Sequence, residues 1–290
     1  MPGTSQTEPI VQKTRIAAVR YFNTLPLIEG LETVSQLALD LCPPSEIASR
    51  LRSTDEHERA DIGLVSFIDT VREEGLAVLP AGAIGCFGPT MTVRIFARNP
   101  DGPIETLHAD VESHTSVVLA QVVLAETTGV RPTIVPFAAP EDPTDADWPD
   151  AVLLIGDKVA RKAPPANDFP RQIDLGEAWK AMTGLPFVYA AWACDASRAD
   201  DPLIATACAL LDRQRRRNAA RLDHIASTHA ERMRWDDAEA RHYIGSLLRY
   251  ELTPEDIEGA ERFVQMAAAL DLCPDRPINW IDPAARPVEA

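Results

Sequence analysis

The chain has 290 residues, with 28 Lys and Arg against 44 Asp and Glu, a formal charge of −16. That balance argues against nucleic-acid binding, which needs a basic face to neutralise phosphate, and against a polybasic membrane anchor. Composition is ordinary globular at 46% apolar and 25% charged, and at roughly 150 residues per domain the length suggests two domains or one large one.

Twenty-four prolines point to many stiffened loops. The five cysteines (Cys42, Cys86, Cys194, Cys208 and Cys273) are odd in number and form no C-x-x-C pair, which speaks against a disulfide framework and a structural zinc site. The N-terminal MPGTSQTEPIVQKT has no apolar core of signal-peptide length, and no later run approaches the ~18 apolar residues of a membrane span. The expectation is a soluble cytoplasmic protein.

Residues 1–14 read as a polar tail. RIAAVRY then reads as a strand, broken at Asn23-Thr24, and LPLIEGL as a helix start. In SEIASRLRS, Ile47 and Leu51 fall on one face behind Ser45, a short amphipathic helix with an N-cap. ADIGLV is a buried-type strand closed by Ser66, and FIDTVREEG a helix stopped by Gly75. TMTVRIFA alternates like a half-buried strand. Over residues 109–135, Ser113 to Ser116 lead into the helix VVLAQVVLAETTG, which ends at Gly129 before the strand PTIVPF. A Pro/Asp-rich loop fills 136–150; AVLLI is an apolar strand, followed by Gly156-Asp157 and a short helix, and 161–172 is a second Pro-rich loop. A helix at about 175–182, a Gly-Leu-Pro turn and a strand come next. Helices are expected over 201–230, 236–250 and 254–270, the last opened by Thr253-Pro254-Glu255-Asp256.

Strands alternating with helices indicate an α/β architecture with mainly parallel sheets. Ligands of such sheets bind beyond the carboxyl ends of the strands. Four strand ends carry small polar residues leading into helices: Asn23-Thr24, Ser66, Thr115-Ser116 and Asp157. Converging helix N-termini with free N–H groups would hold a small hydroxylated carboxylate, although each pair alone also fits a helix cap.

YFNTLPL, DIGLVS, GPTMT, HTSVVLAQ, LLIGD and DLGEAWKAMTGLPFVYAAWA occur in that order. Together they resemble the chorismate dehydratase family of the futalosine route to menaquinone, over roughly residues 15–270. The resemblance implies a two-lobed, periplasmic binding protein type II-like fold with C-terminal helices. Lobe one would comprise 15–95 plus 190–290 and lobe two 96–189, with crossings near 95–100 and 187–193. It implies loss of water from chorismate to give 3-[(1-carboxyvinyl)oxy]benzoate, in a cytoplasmic enzyme with no cofactor and no metal. Asn23 matches the family's asparagine and would hydrogen-bond the substrate hydroxyl or ring carboxylate. Thr24 and Ser66 would add hydroxyls, and Thr92 stands where the family commonly has serine. Thr115 and Ser116 would cradle a carboxylate, and Asp157 would orient a hydroxyl or cap its own helix.

Phe87 replaces an aspartate frequent in the family. Arg94 is expected in a surface ion pair, His114 as a solvated loop residue, and RQRRRN at 213–218 as a solvated helix face. The six histidines show no metal-ligand spacing. Two other functions share the fold: the sister 1,4-dihydroxy-6-naphthoate synthase and a non-catalytic binder of small carboxylates. The expected partner is a small molecule, with neither nucleic acid nor membrane; a homodimer is compatible with the sequence.

Overall fold

The computed structural model describes residues 13–110, 112, 114–143 and 147–281. The tail expected over 1–14 falls outside the described residues up to position 12, and Thr14 already belongs to the first strand. From there run β1 (Thr14–Ala18), α1 (Leu25–Ile28), β2 (Leu37–Leu41), α2 (Pro44–Leu51), β3 (Ile62–Ser66), α3 (Asp69–Arg72) and β4 (Leu76–Cys86). The chain crosses to β5 (Val93–Ala97), β6 (Thr106–Ala109), α4 (His114–Thr128), β7 (Thr133–Pro136), β8 (Ala151–Ile155), α5 (Asp157–Lys162) and β9 (Arg171–Asp174). It returns through α6 (Leu175–Thr183) to β10 (Phe187–Asp195). The last part holds α7 (Pro202–Ala219), α8 (Leu222–His229), α9 (Asp237–His242), β11 (Leu248–Arg249) and α10 (Pro254–Ala269).

The strands form two sheets, in the orders β11-β4-β10-β3-β1-β2 and β7-β6-β8-β5-β9. Both are mixed rather than mainly parallel. β1 runs parallel to β2 and β3, and β6 to β7 and β8. β10 is antiparallel to β3 and β4, and β5 to β8 and β9. The reason is connectivity: β5 and β10 each enter a sheet from the other one, so no helical crossover within the sheet sets their direction. The crossings expected near 95–100 and 187–193 fall at strands β5 and β10. The segments that link the sheets are 87–92 and 175–186.

Local chemistry explains the elements that were readable. IGLVS and AVLLI are buried on both faces, as interior strands are. Asp174 caps α6, accepting from the Gly176 and Glu177 amides, and Gly184 at φ 73° ends it. The same carboxylate accepts from the Thr90 and Met91 amides at 3.0 and 2.7 Å, so it touches both linking segments. Behind them Trp179, Phe187 and Phe263 pack edge to face, with Trp179 Nε1 donating to Pro186 O at 3.0 Å.

Elsewhere tertiary demands override the pattern. The helix expected at 201–230 breaks into α7 and α8. The one expected at 236–250 gives α9, a π-turn (Tyr243–Leu247) and β11, which supplies partners to the β4 edge at Gly85 and Cys86. Residues 213–218 are not a uniformly solvated face. Gln214 Nε2 donates to Glu29 O at 2.7 Å, and Asn218 Nδ2 to Pro26 O and Glu29 O at 3.2 and 2.9 Å. These bonds satisfy carbonyls that α1, a single turn, leaves open. No described helix is long and apolar enough to cross a membrane.

Candidate active site between the lobes

Two adjoining cavities, each about 70 Å³, lie between the sheets and share Tyr21, Asn23, Ile84 and Tyr189 as walls. The first is also lined by Thr90, Thr92, Ser116, Gly156 and Tyr243, the second by Ser66 and Glu112. Asn23 sits in a one-turn segment, Phe22–Thr24, between β1 and α1. Its side chain shares the first cavity with the Tyr243 hydroxyl, which lies 2.5 Å from Thr92 Oγ1. Burial holds the Tyr243 phenol above its ordinary range, so it remains a neutral donor and acceptor. Behind these groups Phe22, Trp235 and Tyr243 stack at centroid spacings of 5.1 and 5.1 Å, a rigid backing for Asn23. Gly156, at φ 59° and ψ −144°, occupies backbone space closed to other residues, and its amide donates to Thr92 O at 2.7 Å.

Ionised groups sit in and around these walls, and Tyr21–Glu112 and His114–Asp69 bridge the lobes. Tyr21 donates to Glu112 at 2.5 Å, and Lys158 bonds Glu112 and Asp110 at 2.8 and 2.7 Å. Burial pushes Glu112 up, but Lys158 and Tyr21 outweigh it and its carboxyl lies below the usual range. His114 Nδ1 meets both Asp69 oxygens at 2.9 and 2.8 Å, and that bond raises its pKa.

Asn23, Ser66, Thr92 and Ser116 are brought together on the cleft walls. Three other expected residues are turned to structural partners instead. Thr24 is fully buried and donates to Asn23 Oδ1 at 3.3 Å. Thr115 Oγ1 accepts from the Ile68 amide at 3.1 Å, tying α4 to the other lobe. Asp157 accepts from Trp235 Nε1 at 3.1 Å and from Arg161 at 2.8 Å, while burial raises its pKa. His114 is no solvated loop residue: it opens α4 and pairs with Asp69. Arg94 bonds Gln172 at 3.0 Å and reaches within 3.7 Å of the buried Asp174. Phe87 is 45% exposed, with Lys180 4.0 Å over its ring, and lines neither cavity. Among the described residues no group of three or more His, Cys, Asp or Glu side chains is placed to hold a metal ion.

The sequence reading missed Tyr21, Thr90, Gly156, Tyr189 and Tyr243. Tyr21 and Tyr189 stand inside the quoted YFNTLPL and GLPFVYAAWA motifs, so motif membership was an available signal. Tyr243 has none, since only the π-turn brings it to Asn23.

Two sheets joined by two linking segments, with a cleft between them, define a two-lobed binding-protein fold. Solved structures agree. The Candida albicans CA3427 gene product, described as having the generic periplasmic binding protein fold, matches with TM-score 0.62 at 11% identity, covering 91% of this chain and 92% of that one. The periplasmic aliphatic sulphonate binding protein SsuA of Escherichia coli matches with TM-score 0.59 at 11% identity, covering 91% and 94%. Residues 14–269 match the family model described as menaquinone biosynthesis, and the chain belongs to that family. A chorismate dehydratase from Thermus thermophilus is 26% identical over 266 residues, 85% of this chain and 92% of the relative.

Proposed function

We propose that this protein is a chorismate dehydratase, forming 3-[(1-carboxyvinyl)oxy]benzoate and water. The supporting observation is the cleft, whose walls present neutral donors at Asn23, Thr92, Ser116 and Tyr189, in a chain whose relative is named for this reaction. The hydrogen on the ring carbon bearing the enolpyruvyl ether is vinylogously activated by the ring carboxylate. Its removal moves charge into that carboxylate, and loss of the neighbouring hydroxyl then makes the ring aromatic. The Asn23 amide, which both donates and accepts, takes the substrate hydroxyl or ring carboxylate, and Ser116 with the first turn of α4 takes a carboxylate. The substrate's own enolpyruvyl carboxylate accepts the ring proton. The protein's task is to hold two carboxylates, stabilise developing charge and exclude water between bridged lobes. We place the activity in the cytoplasm, as the family resemblance implies.

Purified protein mixed with chorismate should develop the absorbance of the aromatic product, undiminished by EDTA. Tight binding of chorismate with no new absorbance would replace the enzyme with a binding protein. Activity abolished by EDTA and restored by a divalent ion would overturn the metal-free chemistry.

A further inference from the structure

We infer that Tyr189 contacts the substrate, its hydroxyl donating to the oxygen that leaves as water; this rests on the dehydratase reading above. Tyr189 lies on β10, is 8% exposed, and walls both cavities. Its hydroxyl has no hydrogen-bond partner of acceptable geometry. Seven other buried side-chain polar atoms among the described residues share that condition, and none belongs to a residue lining the cleft. An unmet buried donor is destabilising and rare, so one kept in a cleft wall signals a ligand that meets it.

The protein groups that face this hydroxyl are poorly suited to satisfy it. Thr90 Oγ1 is engaged with Asp174 at 3.3 Å and with the Val93 amide at 3.2 Å. The Cys86 thiol, pushed up to about 12 chiefly by burial, stays protonated and is a weak acceptor. Burial, with the charge of Asp174 acting in the same direction, keeps the Tyr189 phenol neutral. In the reaction the ring C–O bond breaks with its electron pair passing to oxygen. The proton taken from the ring carbon by the enolpyruvyl carboxylate completes the water. Tyr189 keeps its own proton and supplies a hydrogen bond that strengthens as charge builds on the leaving oxygen. Asn23 is then left to the ring carboxylate.

The test is Tyr189→Phe in the full chain, compared with wild type for kcat on chorismate, affinity for the product, and melting temperature without ligand. The product lacks the hydroxyl, so its affinity should be unchanged while kcat falls by about 10²-fold, the scale for losing one transition-state donor. The melting temperature should equal or exceed that of wild type, because phenylalanine removes the unmet donor. A variant with wild-type kcat overturns the assignment. Weaker product binding moves the contact to a carboxylate and overturns it as well, and a lowered melting temperature reveals a structural hydrogen bond instead. Wild-type protein that leaves chorismate unchanged overturns the dehydratase reading itself, and the inference with it.

Discussion

On the cleft walls the polar groups are hydroxyls and one amide, with Tyr243 hydrogen-bonded to Thr92, apart from the Glu112 carboxylate on the second cavity. Around them they are carboxylates already met by cations or donors: Glu112 and Asp110 by Lys158, Asp69 by His114, Asp157 by Arg161 and Trp235. The difference divides the labour. Charged groups are spent on one another, His114 and Asp69 across the lobes and the Lys158 and Arg161 pairs within one lobe, and uncharged donors are left for a ligand. An anionic substrate therefore meets local dipoles instead of lysines and arginines, in a protein whose net charge of −16 opposes it.

The comparison breaks most sharply at Asn23. Asn23→Ala should lower kcat on chorismate by roughly 10²–10³, the scale for one lost oxyanion-type donor. His114→Ala should change kcat far less than the roughly 10²–10⁴ expected for loss of a general acid or base. Steady-state kinetics on the two variants decide the matter, and the reverse ranking would make the histidine the base.

A smaller effect should separate the surrounding charges from the walls by pH. The hydrogen bond to Asp69 raises His114 above its ordinary 6.5, so folding strengthens its hold on the proton. The pair's contribution to stability is then fully present below about pH 6.5 and is lost as pH rises through the raised value. Melting curves of wild type and His114→Ala should lie furthest apart in acid and converge in alkali; a gap that widens with pH would contradict the pairing. The smallest effect is expected at Thr92→Ser. It keeps the hydroxyl beside Tyr243 and removes one buried methyl, so it should cost stability by about 1 kcal/mol or less and leave kcat near wild type. Urea titration with an activity assay checks both.

Residues were legible where the signal was local. Asn23 and Ser116 stand at strand-to-helix junctions, a pattern visible within ten residues of chain. Thr115 and Asp157 stand at the same kind of junction, yet their side chains answer to Ile68 and Trp235, partners far away in sequence. Tyr189 and Tyr243 reach Asn23 only through the pairing of β10 with β3 and through a π-turn, neither of which leaves a periodic trace. β4 went unread because Pro80, Gly82 and Gly85 interrupt its pattern; two register shifts in its ladder with β10 accommodate them. The two-sheet architecture was easier, since alternating apolar strands and helices report it directly.

Asp174 has a mechanical consequence. One carboxylate grips the amides of Thr90 and Met91 on the outgoing link and of Gly176 and Glu177 on the returning one. The two links are further pressed together at Gly176, where an added Cβ would stand 2.4 Å from the Gly88 carbonyl oxygen. They therefore behave as two straps fastened by a single rivet. Drawing the links apart would break the bonds from Thr90 and Met91 together, whereas those from Gly176 and Glu177, two and three residues along from Asp174, would travel with it. The fastening between the two links is thus a side chain that also caps a helix.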